Sequence, residues 1–227
     1  MNLRKYHSSV EAIEFMTEGI ISMIKDNYQR GLSFNLALSG GGTAKLMFEI
    51  WTKRFPEFKD FTNVNYYWVD ERMVPPSDYE SNYKYAQELF FQPLGIDESL
   101  VHRIRGETNI EEELQRYISA AREVVENEGF DLIILGVGED MHTASIFPNN
   151  MRLLESSTSY AISYHPISGQ RRITMTGSTI INAKNIYIPV LKKPEVVRLL
   201  GRNGSDTPAN YIIKHCEEAI VFTDVNY

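Results

Sequence analysis

Asp140 and His142 stand two residues apart in Gly136-Val-Gly-Glu-Asp-Met-His142, where two glycines bend the chain directly after an apolar run. An imidazole titrates near neutral pH (reference pKa about 6.5), which suits it to proton transfer, and a carboxylate beside it can orient it. The spacing points to a general acid/base pair. A metal site is not expected, because HExxH is missing, His7, His102, His165 and His215 are scattered, and Asp140 with His142 supplies too few ligands. Nor is a serine triad, since no GxSxG occurs and Ser145 falls one helical turn beyond His142.

Three other segments carry chemistry. Ser39-Gly40-Gly41-Gly42-Thr43 lets backbone N–H groups approach an anion at the start of a helix, which makes it a phosphate cradle or a plain tight turn. It is not a Walker loop, and no GxGxxG occurs, so no nucleotide or other cofactor is expected. Asp70-Glu71-Arg72 offers a guanidinium that can fork onto phosphate oxygens. Its Asp70 can orient that group, handle a proton, or simply form a local salt bridge. Asn82 lies close enough in sequence to reach the same ligand. Arg171, Arg172, Lys192 and Lys193 are cations beside strand candidates in an acidic chain.

These segments need elements to position them. Ser8 with Glu11 forms a capping box, and Ile13, Met16, Ile20 and Ile24 follow at helical spacing up to Gly31, so the chain is expected to open with a helix. Strands are expected at 34–38, 64–69, 131–135, 160–164, 173–176, 186–190 and 219–223. Helices are expected at 44–51, 81–91, 110–127 and 194–200. Asn203-Gly204-Ser205 reads as a polar turn. Alternating strands and helices predict one α/β domain over residues 1–227, with a mostly parallel sheet covered by helices on both faces. In such sheets ligands bind beyond the carboxyl ends of the strands, where all four segments lie.

Composition narrows the partners. The chain has 227 residues, 43% of them hydrophobic, and carries 23 Lys and Arg against 30 Asp and Glu for a net charge of −7. That balance argues against a nucleic-acid or anionic membrane surface, and an anionic substrate would need locally placed cations. The single Cys216 fits a buried small hydrophobe in a reducing compartment. With no apolar stretch of membrane-spanning length and no signal-peptide pattern at the N-terminus, the cytoplasm is expected. The chain is expected to act as a monomer or homodimer.

LSGGGTAK, WVDERMVPPSDYESNY, FDLIILGVGEDMHTASIFP and RRITMT, in this order, resemble the 6-phosphogluconolactonases and, more distantly, the glucosamine-6-phosphate isomerases and deaminases. The likeness runs from about Asn35 to Asp224. It implies a Rossmann-like single domain and hydrolysis of a small phosphorylated sugar lactone in the oxidative pentose phosphate pathway, without a cofactor. It assigns Ser39, Gly40, Gly41, Gly42, Thr43 and Arg72 to phosphate binding and His142 to general base or acid. Arg172 and Lys193 (or Lys192) would hold the anionic end of the ligand. On that reading His142, oriented by Asp140, deprotonates the attacking water.

Departures from the pattern are Gly42-Thr43-Ala44, Val190 and, above all, Met141, where the family usually has glycine. A methionine there implies either that the turn has no need of positive φ or that the loop is shifted. An isomerase or deaminase of the related group would continue after the histidine with a carboxylate that opens the sugar ring. Thr143-Ala-Ser-Ile-Phe-Pro148 has none, which favours the lactonase. A non-catalytic sugar-phosphate-binding module is the third reading, and the presence of both Asp140 and His142 weighs against it.

Overall fold

The computed structural model describes residues 2–201 and 204–225, so the turn expected at Asn203 falls outside the described residues. Its strands are β1 (Asn2–Lys5), β2 (Phe34–Leu38), β3 (Val64–Trp68), β4 (Asp70–Arg72), β5 (Leu132–Ile134), β6 (Tyr160–Tyr164), β7 (Arg171–Met175), β8 (Ile186–Pro189) and β9 (Ala219–Thr223). Its α-helices are α1 (Ser9–Gln29), α2 (Gly41–Arg54), α3 (Asn82–Ala86), α4 (Gln92–Leu94), α5 (Ile110–Glu126), α6 (Gly177–Ile181), α7 (Pro194–Leu199) and α8 (Pro208–His215). The Ser8 hydroxyl accepts from the Glu11 N–H at 3.1 Å, capping α1 as the sequence implies.

The chain nevertheless opens with a strand, not with that helix. β1 is largely exposed and has no alternating apolar pattern, so its parallel pairing to β9 rests on backbone hydrogen bonds that no side-chain periodicity announces. The helix expected at 81–91 is longer and irregular: α3 passes through a π segment (Gln87–Phe91) into α4 and stops at Gly95, whose φ is +64°. The short α6 and α8 carry too few apolar repeats for periodicity to detect.

Six strands form an all-parallel sheet in the order β1-β9-β8-β5-β2-β3, flanked by helices. β6 and β7, expected in the same mostly parallel sheet, instead make a separate antiparallel sheet with β4, in the order β4-β7-β6. The reason is geometric. The loop joining β6 to β7 is a tight hairpin, whereas parallel neighbours need a crossover of roughly a dozen residues. The two sheets meet along β3, whose outer edge is finished by tyrosines. The Trp68 N–H donates to the Tyr117 hydroxyl at 2.8 Å, and the Tyr160 hydroxyl donates to the Trp68 carbonyl at 3.0 Å.

Between α1 and α2 the core is closed by polar as well as apolar contacts. The Trp51 indole donates to the Thr17 hydroxyl at 2.8 Å, and that hydroxyl donates to the Ile13 carbonyl at 2.6 Å. Trp51 also stacks on Phe58 and meets Phe90 edge-on, with ring centroids 4.7 and 5.0 Å away. Each buried ring contributes roughly 1.5–3 kcal/mol by removal from water. The loops that follow β2, β5 and β8 leave the parallel sheet at the carboxyl ends of these strands.

Candidate active site

The loop after β5 is a tight hairpin. The Gly138 N–H donates to the His142 carbonyl and the Met141 N–H to the Gly138 carbonyl, each at 3.0 Å. A β-turn followed by a left-handed residue is the arrangement usually filled by glycine at the last position. Here that residue is Met141, with φ +67°. The expectation that the turn has no need of positive φ does not hold. The cost of this conformation, on the order of 1–3 kcal/mol, is offset by two contacts. The Met141 side chain is buried, and its carbonyl accepts from the Ala209 N–H, in the first turn of α8, at 3.1 Å.

This turn brings the acid/base pair together. Asp140 Oδ1 accepts from the His142 backbone N–H at 3.1 Å and contacts the imidazole Nδ1. Nδ1 then carries the proton directed at the carboxylate, and Nε2 is left with a basic lone pair. Burial works against charge on Asp140, but the backbone N–H and the imidazole of His142 outweigh it and hold the carboxyl below its ordinary range. Gly138 is needed for clearance, since a Cβ there would lie 2.2 Å from His142 Cε1. Phe147 backs the imidazole, with ring centroids 4.8 Å apart.

Beneath the dyad lies a buried polar network. Asp70 is 4% exposed, and its Oδ2 accepts from the Ser145 hydroxyl at 2.6 Å and stands 4.0 Å from Arg172 Nη1. Arg172 Nη1 also donates to Ser145 Oγ at 3.2 Å. Of the roles open to Asp70, orienting an arginine is the one this geometry supports, and the arginine is Arg172 rather than Arg72. Ser145 does not sit on a helix. Ala144, at φ +48°, turns the chain, and the Ser145 N–H donates to Thr174 Oγ1 at 3.0 Å. Arg72 and Arg172 face each other across the β4–β7 register, and in each the buried Nε has no hydrogen-bond partner. Burial lowers the Arg172 pKa, which Asp70 opposes and Arg72 reinforces. Two adjacent guanidinium groups with unused donors favour an anion.

The glycine loop abuts this network. A Cβ on Gly40 would fall 1.8 Å from Asn82 Oδ1, and the Asn82 amide donates to the Asp70 carbonyl at 2.9 Å. Asn82 therefore packs into the space that Gly40 leaves. α2 begins with Gly40 as its N-cap and no side-chain cap, so its first N–H groups have no side-chain acceptor there. Gly42 and Thr43 line a cavity of about 300 Å³ together with Lys192 and Lys193. Lys193 is the lysine turned toward the loop after β5, donating to the Val137 carbonyl at 2.8 Å. Lys192, exposed at φ +55°, has its backbone N–H held by Asp224 Oδ1 at 2.7 Å.

Sequence reasoning missed the supports of the site. Glu71 is buried and accepts from the backbone N–H groups of Arg72, Asn82 and Tyr83 at 2.7–2.8 Å and from the Ser81 hydroxyl at 3.0 Å, pinning the start of α3. Burial pushes its pKa up to about 7 against those donors. Ser145, Asp224 and Phe147 were missed too; only their place within or near the motifs could have flagged them. A larger cavity of about 1200 Å³ opens at the opposite ends of the strands, lined by Asn35, Asn65, Asp131 and Lys184 among others. No residue of the dyad, the arginine pair or the glycine loop lines it. Among the described residues, no three His, Cys, Asp or Glu side chains are grouped as a metal site requires. No helix among them is long and apolar enough to cross a membrane.

Residues 7–222 match the family model described as glucosamine-6-phosphate isomerases/6-phosphogluconolactonase. The 6-phosphogluconolactonase of Treponema pallidum (strain Nichols) is 38% identical over 179 residues, covering 77% of this chain and 74% of that protein. The 6-phosphogluconolactonase of Haemophilus influenzae is 37% identical over 187 residues, covering 82% of this chain and 78% of its own length. Among solved structures, the devB protein superposes with a TM-score of 0.86 at 29% identity, over 98% of this chain and 94% of the other.

Proposed function

Because the chain belongs to the family of glucosamine-6-phosphate isomerases and 6-phosphogluconolactonases, we propose that it hydrolyses 6-phospho-D-glucono-1,5-lactone to 6-phosphogluconate, within the oxidative pentose phosphate pathway. The observation that carries this reading is the Asp140–His142 contact, which leaves Nε2 as the free base beside a cluster of cations. A lactone is an ester already reactive toward water, so positioning, one proton-transfer group and donors for the developing oxyanion suffice.

In the proposed sequence, His142 Nε2 takes a proton from water as its oxygen bonds to the lactone carbonyl carbon. The tetrahedral intermediate then expels the ring oxygen, which receives the proton from Nε2 and becomes a hydroxyl, while the former carbonyl carbon becomes that of a carboxylic acid, which releases the second water proton to solvent and leaves a carboxylate. Asp140 holds the imidazole in the required tautomer and stabilises its cation. The Ser39–Thr43 loop and the start of α2, with Lys193, take the phosphate. Arg72 adds to that charge, and Arg172, aimed by Asp70 and Ser145, faces the anionic side of the ligand. We place the activity in the cytoplasm, in keeping with the lone Cys216.

The test is a pH-stat or NMR assay on freshly generated lactone with wild type, His142→Ala and Arg72→Ala. Wild type should exceed spontaneous hydrolysis, His142→Ala should lose about 10²–10⁴ in kcat while still binding 6-phosphogluconate, and Arg72→Ala should weaken binding. Full rate in His142→Ala would sink the mechanism. Glucosamine 6-phosphate should release no ammonia, since the segment after His142 carries no carboxylate; release would favour the isomerase branch. Binding of 6-phosphogluconate without turnover would favour a binding module.

A further inference from the structure

The hairpin joining β6 to β7 carries a second histidine that the reaction scheme does not use. His165 closes the loop through its backbone: its N–H donates to the Gln170 carbonyl at 3.0 Å, and its own carbonyl accepts from the Gly169 N–H at 2.9 Å. Its side chain closes the loop a second time. Nδ1 accepts from the backbone N–H groups of Ile167 and Ser168 at 3.3 and 3.2 Å. A ring nitrogen that accepts from N–H carries no proton, so in the neutral ring the proton sits on Nε2.

That ring borders the active site. It meets Phe147 edge-on at 5.3 Å, and Phe147 also contacts the His142 imidazole at 4.8 Å and lies beneath the Arg172 guanidinium at 5.7 Å. Gln170 ties the hairpin to Glu80 and Arg172. Its amide donates to Glu80 Oε2 at 2.8 Å, and its carbonyl accepts from Arg172 Nη2 at 3.0 Å. The imidazole is only partly covered. Desolvation and the Arg172 guanidinium push its pKa below the ordinary histidine value, which favours the neutral form.

From this geometry we infer that His165 presents its neutral Nε2–H to a hydroxyl group of the bound sugar and so helps determine substrate specificity. The inference rests on the lactonase reading of the same site. The cations of the site suit the phosphate of the ligand, while the hydroxyls of the sugar ring call for uncharged partners. His165 has its acceptor nitrogen committed to its own loop and its donor nitrogen left over. It is not a second acid/base, because protonating Nδ1 would break the loop contacts that hold it.

The variant His165→Asn separates the two uses of the ring. The Asn carbonyl replaces Nδ1 as acceptor for the loop, as in an Asx turn, while the distal N–H is gone. Wild type and His165→Asn are compared on the lactone and on lactones lacking the 2-, 3- or 4-hydroxyl. The expected result is a loss of about three- to tenfold in kcat/KM, as for one neutral hydrogen bond, carried mainly by KM and vanishing for one deoxy lactone. No loss, or an equal loss on every lactone, would overturn the inference and leave His165 a loop residue. If wild type turned over none of the lactones, the lactonase reading itself would fail. In that event calorimetry with 6-phosphogluconate decides, and equal affinity of the two proteins would overturn the contact.

Discussion

The Ser145 hydroxyl donates to the Asp70 carboxylate at 2.6 Å across a separation of 75 residues, and the same oxygen accepts from Arg172 at 3.2 Å. One buried hydroxyl therefore holds a carboxylate and a guanidinium in register. Ser145→Ala should leave both short of a partner and cost about 1–3 kcal/mol of stability, measured by urea unfolding. KM should rise more than kcat falls, because Arg172 loses its aim and the dyad does not.

Asp140→Asn should lower kcat by roughly 10²-fold, by loss of the oriented tautomer of His142. Asp140 is half exposed in its side chain. Stability should accordingly change by no more than about 0.5 kcal/mol. Steady-state kinetics beside a thermal melt would check both, and an unchanged kcat would mean that Nδ1 needs no carboxylate.

Met141 at φ +67° reverses a familiar order. Alanine normally stabilises relative to glycine, but at a left-handed position its Cβ is penalised. Both variants lose the buried side chain and should be less stable than wild type, yet Met141→Gly should exceed Met141→Ala by about 1 kcal/mol. Alanine matching or exceeding glycine would show that the turn relaxes.

Gly138→Ala tests clearance around the base. Its Cβ would lie 2.2 Å from His142 Cε1, so the ring must move. A kcat drop of at least about tenfold is expected for a misplaced base, with binding of 6-phosphogluconate retained, as read by calorimetry.

Glu71 makes stability depend on pH. Its pKa is raised from 4.5 to about 7 on folding, so between those values the folded state holds a proton that the unfolded state has lost. The Glu71 contribution is then full below about pH 4.5, falls as pH rises, and levels off above about 7. The stability difference between wild type and Glu71→Gln should shrink across that window in denaturant titrations. A flat difference would place the folded pKa near its ordinary value.

Much of this site was readable because its chemistry is local. Asp140 and His142 share one turn, the glycines precede one helix, and the strand-turn-helix alternation puts these segments at carboxyl ends of strands, so side-chain type and spacing were enough. The β1–β9 pairing was not readable, because an exposed edge strand is held by backbone hydrogen bonds with no side-chain signature. The second sheet was missed because apolar alternation marks a strand without naming its partner.

The sequence by itself determined the α/β alternation, the pairing of Asp140 with His142 in one turn and the presence of cations near strand ends, since these follow from residue type and short-range spacing. Only the tertiary structure decided that Asp70 meets Arg172 through Ser145, that Lys193 and not Lys192 turns to the loop after β5, and that Met141 is held left-handed by burial and by the Ala209 N–H. Each of these depends on groups far apart in the chain meeting in space. Their energies come from packing and from buried donors and acceptors finding partners, which no local pattern records.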